Sequence, residues 1–119
     1  MKLVDRKAFL ALPSGTVYAK YEPCYCGEIG VKHSTIGDND WAYTSIDTTS
    51  FIDTESSSEL FSELLAMNPG DSINTNIVMD SVYRDGLFDN EQQFMVYSKE
   101  EVEALIGLLA QTLDMDAYK

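Results

Sequence analysis

Polar and apolar residues along this chain follow two periods, and the switches between them mark out its elements. Asp5 precedes Arg6–Leu12 and Pro13 follows, which predicts a capped helix of about two turns stopped by proline. After a Ser14-Gly15 turn, Thr16–Glu22 alternates. Val17, Ala19 and Tyr21 share one side and Tyr18, Lys20 and Glu22 the other, the pattern of a strand with one wet face. Pro23–Gly27 interrupts it. Glu28–Ile36 resumes with Ile29, Val31 and His33 on one side, Gly37–Asp40 turns the chain, and Trp41–Ile46 gives a third strand. The three form an antiparallel meander.

Residues 47–58 are rich in Asp, Thr and Ser and read as a loop. It leads into Ser56-x-x-Glu59, the spacing of a capping box, followed by Leu60, Phe61, Leu64 and Leu65 on one helical face. Asn68-Pro69-Gly70 ends that helix. Ser72–Tyr83, with Ile73, Ile77, Met79 and Val82, and Gln93–Tyr97 predict two further strands joined as a hairpin by a longer loop at Arg84-Asp85-Gly86. Ser98-x-x-Glu101 opens a last helix carrying Val102, Leu105, Ile106, Leu109 and Leu113 at helical spacing. The order α-β-β-β-α-β-β-α predicts one α+β domain over residues 1–119, a mainly antiparallel sheet with helices packed on one face.

Length and composition fit such a domain. The chain has 119 residues, 45% of them hydrophobic and 11% aromatic, which is a folding composition and not that of an acidic tail. No run approaches the ~18 apolar residues of a membrane span, and Met1–Lys7 is charged too soon for a signal peptide. The cytoplasm is the expected location.

Charge changes the picture most. The net charge is −12, from 20 acidic and 8 basic residues. Residues 1–35 carry five basic groups against three acidic ones; residues 36–119 carry three against 17, Asp80 among them. Such a field repels nucleic acid and anionic membrane and attracts basic protein surfaces. Helix starts favour Glu59, Glu100, Glu101 and Glu103, and turns suit Asp38, Asp53 and Asp85. Those roles cover fewer than half of the acids, and Asp114 and Asp116 stand at a helix end where negative charge is unfavourable. The surplus points to a binding surface, with Asp38, Asp40, Asp47, Asp53, Glu55, Asp85, Asp89 and Glu91 as its expected contacts. Tyr18, Tyr25, Tyr43 and Trp41 are candidate aromatic anchors where they do not pack in the sheet.

Catalytic chemistry is sparse. His33 is the single histidine, and Cys24 and Cys26 flank only Tyr25, a spacing too tight for an ordinary disulfide. A thiol nucleophile or a metal centre at Cys24, Cys26 and His33 is the enzyme alternative; zinc there needs a fourth ligand from Asp38 or Asp40. Neither acidic turn has EF-hand spacing, and no glycine-rich phosphate cradle occurs. The expectation is a non-enzymatic protein without a cofactor.

In size, acidity and absence of catalytic motifs the chain resembles small phage-encoded anti-defence proteins, the anti-restriction and anti-CRISPR inhibitors that mimic DNA. Phe9–Pro23 and Arg84–Glu91 also resemble stretches of small phage and prophage proteins. The resemblance implies an inhibitor that occupies the basic groove of a nucleic-acid-handling protein in the host cytoplasm, and it carries over no functional residue. An immunity protein neutralising a basic toxin nuclease is the alternative with the same physics.

Overall fold

The computed structural model describes residues 1–79, 83–86 and 89–119; Asp80 and Val82, named above, lie outside them. The chain is α+β, with a six-stranded, wholly antiparallel sheet in the order β1-β6-β2-β3-β4-β5. Its strands are β1 (Lys2–Asp5), β2 (Val17–Glu22), β3 (Tyr25–Ile36), β4 (Asp40–Ile46), β5 (Tyr83–Arg84) and β6 (Gln93–Val96). The helices are α1 (Arg6–Leu10), α2 (Thr48–Phe51), α3 (Ser57–Ala66) and α4 (Lys99–Thr112), with a 3-10 turn at Asp116–Tyr118. No helix among the described residues is long and apolar enough to cross a membrane.

The β2-β3-β4 meander forms as its alternation predicts. The expected hairpin between the last two strands does not. β6 inserts between β1 and β2, whereas β5 lies at the far edge on β4. Residues 72–79 are irregular and touch α2's end through one bridge, Ile52 to Thr75. β1 went unread because four residues are too few to declare a period.

Both faces of β2 are used, so neither is the wet face expected for it. Tyr18 is 3% exposed, and the register sets it opposite Gly30 on one side and Val96 on the other. Asp5 caps α1 by accepting from the Ala8 amide (2.8 Å), and the helix lays Phe9 onto this face. Phe9 stacks on Phe94 at 3.9 Å between centroids, with Tyr18 at 4.7 Å and Trp41 at 5.1 Å edge-on. Edge-to-face and offset contacts of this kind add to the burial itself. These four rings are the core, with Val4, Leu10, Leu12, Tyr43 and Val96 packed around them.

Two cations are buried with the rings. Among the described residues, Arg6 is held by neutral acceptors and the Trp41 face. The Lys32 ammonium donates to the carbonyls of Leu12 (2.9 Å) and His33 (3.1 Å) and to Thr35 Oγ1 (2.9 Å), and desolvation pushes its pKa down. Both were counted among the charges of the basic N-terminal third, yet neither reaches solvent. The surface is therefore poorer in positive charge than the composition implies.

α3 and α4 differ from α1. Ser98 and Glu101 form the full capping box of α4; in α3, Ser56 accepts from the Glu59 amide, but the Glu59 carboxylate turns to the Glu55 amide instead. Neither helix buries a residue.

Candidate functional site

Beyond the aromatic core, the Tyr18 face of the sheet stays open. A groove of about 310 Å³ crosses β2, β3 and β4, floored by Tyr18, Gly30, Tyr43 and Ser45 and walled by Lys20, Glu22, Tyr25 and Glu28. Glu28, Tyr43 and Ser45 continue it into a second depression of about 470 Å³, bounded by Asp47, Glu55, Leu60 and Tyr83. The sequence dictates this placement by simple alternation. Glu28, Gly30 and Lys32 fall on one side of β3 and pair with the Tyr43 and Ser45 side of β4.

Gly30 is what lets the groove be deep. A Cβ there would stand 3.0 Å from both Cζ and Oη of Tyr18, so only glycine lets the Tyr18 ring lie across β3. The Tyr18 hydroxyl accepts from Trp41 Nε1 (3.1 Å), tying the groove floor to the core. The Tyr43 and Tyr83 rings stand 5.9 Å apart, tilted by 38°. Burial and the charges of Asp85, Tyr83, Asp47 and Glu28 raise the pKa of the Tyr43 hydroxyl. The groove is thus negative and favours the protonated form of the Tyr43 phenol. Aromatic faces beside carboxylates suit a lysine or arginine side chain.

The expected contact residues divide into two sets. Asp40 is 1% exposed and accepts from the amides of Trp41 (2.8 Å) and Gly86 (3.0 Å) and from Arg84 Nε. Desolvation pushes its pKa up, but the bonds from Arg84, Gly86 and Trp41 outweigh that and hold it below the ordinary value. Asp47 caps α2 and accepts from Ser45 Oγ (2.5 Å), the Ser50 amide (2.8 Å) and Ser50 Oγ (2.9 Å). Asp85 is bound to Lys20 at 2.7 Å, its side chain 3% exposed. These three hold the fold together and are not free contacts. Asp38, Asp53, Glu55, Asp89 and Glu91 are exposed. Of them, only Glu55 borders the groove. Glu22, Glu28 and Tyr83 are not among the expected contacts, whereas Tyr43 is one of the expected aromatic anchors. The alternation of β3 and β4 carries the signal for Glu28.

Of the candidate anchors, Trp41 and Tyr18 are core, Tyr43 is half-buried and Tyr25 is exposed. Cys24 and Cys26 are free thiols exposed at the β2–β3 turn. His33 lies seven residues further along β3, roughly 20 Å away at strand rise. Its Nε2 donates to Thr44 Oγ1 (2.6 Å), which in turn donates to the Met79 carbonyl (2.8 Å). Thr44 faces away from Tyr43, so the imidazole is on the side opposite the groove. The thiols and the imidazole do not form one centre. Among the described residues, no group of three His, Cys, Asp or Glu side chains is placed to hold a metal.

Comparison with protein-family models, curated proteins and solved structures finds no match to this chain.

Proposed function

We propose that the chain is a non-enzymatic inhibitor whose acidic surface occupies the basic groove of a nucleic-acid-handling protein, in the manner of an anti-defence DNA mimic. The observation that carries this reading is a set of exposed carboxylates without a hydrogen-bond or ion-pair partner. Among the described residues, Glu22, Glu28, Asp38, Asp53, Glu55, Glu63, Glu91, Glu100, Asp114 and Asp116 are exposed and their carboxylates make no hydrogen bond or ion pair. Such a surplus costs stability by self-repulsion, a cost that binding to a basic surface offsets. The tyrosine-lined groove supplies the aromatic contact that charge alone lacks, and Glu22, Glu28 and Glu55 at its rim are the residues assigned to the partner.

The test begins with recovery of the partner on tagged chain at low salt. Its affinity is then measured across a salt series and in competition with DNA and RNA. The affinity is expected to fall steeply with salt, as it does when phosphate-like charges are matched, and nucleic acid is expected to compete. Glu22→Lys/Glu28→Lys/Glu55→Lys is expected to slow association. A salt-independent affinity, or a partner indifferent to nucleic acid, overturns the reading.

A further inference from the structure

The apolar side of α4 has a regular seam. Val102, Ile106, Leu109 and Leu113 follow one another at spacings of four, three and four, the alternation of a two-stranded coiled coil. Ile106 and Leu109, at the middle of the seam, take the positions where β-branched residues and leucine favour two parallel strands; Val102 and Leu113, at its ends, stand in the reverse arrangement. Glu100, Glu101 and Asp114 stand off this seam on the helix circumference.

Beyond its first turn, no described residue of the same chain buries it. Ile106, Leu109 and Leu113 are 63%, 62% and 65% exposed, although Val102 at the first turn is half-buried. The whole chain exposes 8549 Å², about 2,000 Å² more than the roughly 6,500 Å² expected of a compact 13.3-kDa protein. Its radius of gyration is 16.5 Å, against about 13.5 Å for a compact chain of this length. An obligate dimer buries about 1,000–2,500 Å² on each partner; the excess is of that order, and this seam shares it with the exposed apolar residues of α3 and of 77–79.

We propose that a second copy of this chain covers the seam, with α4 pairing in parallel and in register with its counterpart across a two-fold axis. A two-fold contact brings the same patch from each side. An uncharged seam is matched by an identical one, whereas a basic partner is drawn to the carboxylates elsewhere. Pairing brings together two chains of charge −12, so salt strengthens it by screening. That is opposite in sign to the salt dependence of the basic partner, and it separates the two interactions.

Sedimentation equilibrium of the full chain tests this. The expected mass is twice 13.3 kDa at micromolar concentration, with a tighter dimer at higher salt. A mass of 13.3 kDa at every concentration and salt overturns the proposal, whether α4 folds back on its own sheet or awaits another protein. Ile106→Glu/Leu109→Glu is expected to weaken self-association by roughly 100-fold while Trp41 fluorescence keeps its folded value. An undiminished dimer would place the interface elsewhere. Should that variant unfold, Leu109→Cys in a Cys24→Ser/Cys26→Ser background decides the matter. Oxidation is expected to give a covalent dimer, since paired α carbons must lie within about 7 Å; failure to cross-link overturns the seam.

Discussion

The guanidinium carbon of Arg6 lies 4.9 Å from the centroid of the Trp41 ring. Arg6 Nε donates to Asn39 Oδ1 (3.0 Å), Nη1 to Gln92 Oε1 (2.6 Å) and Nη2 to the Asn39 carbonyl. One side chain thus fastens α1 to the β3–β4 turn and to the chain entering β6. Its planar fork meets three acceptors and the aromatic face together, which a lysine ammonium cannot do. Arg6→Leu is expected to destabilise the fold by about 2–4 kcal/mol, and Arg6→Lys to recover less than half of that. Urea unfolding followed by Trp41 fluorescence measures both, and a loss under about 0.5 kcal/mol for Arg6→Leu would count against this role.

Asp40 and Asp47 set the acid limit. Burial opposes their ionisation, but their hydrogen bonds win, so both folded pKa values lie below the ordinary 3.8. A depressed carboxylate pKa contributes stability that is complete above the unfolded value and disappears as pH falls through the folded one. Stability is therefore expected to drop as pH falls below about 4, the unfolded carboxylate range. Asp40→Asn is expected to flatten part of that limb while lowering stability at neutral pH, because Arg84 loses its partner. Urea midpoints between pH 2 and 7 check both effects; an unchanged acid limb in Asp40→Asn would remove Asp40 as its source.

Much of the fold was legible because its signals are local. Ser98 and Glu101 lie three residues apart, and the capping box their spacing predicts is present. The meander was equally open, each strand declaring its own alternation. Asp40 shows what was not legible. By charge and turn position it resembles Asp38, and nothing nearby tells the two apart. Its interior role is created by Arg84 and Gly86, 44 and 46 residues away, when β5 docks on β4. The insertion of β6 between β1 and β2 rests likewise on pairings across the whole chain, such as Val4 with Phe94. The groove was half legible: alternation set Glu28 beside Tyr43 and Ser45, but Tyr83 arrives from a distant segment.

Gly30 offers a test of the groove floor. The atoms that an added Cβ would meet belong to a tyrosine ring pinned by Phe9 and by the Trp41 indole, so they cannot withdraw. Gly30→Ala is expected to cost about 1–3 kcal/mol, as overpacking does, despite alanine's better strand preference. Thermal melts compare the variant with wild type. A rise in melting temperature would mean that the Tyr18 ring can move, and that the groove floor is not fixed by Gly30.

Cys24 is the one described non-glycine residue with positive φ, at 67°. It follows Pro23 in a two-residue turn closed by the pairing of Glu22 with Tyr25. Proline holds φ near −65°, so the turn is of type II, whose second central position favours glycine. A side chain in this left-handed region costs about 1–2 kcal/mol, and glycine's greater freedom in the unfolded chain returns about 0.5–1 kcal/mol of that. Cys24→Gly is therefore expected to stabilise the protein by up to ~1 kcal/mol, and Cys24→Val to destabilise it, because β-branching makes positive φ harder still. Paired urea titrations under reducing conditions give both values. Equal stability of the two variants would show that the turn relaxes out of the left-handed region in solution.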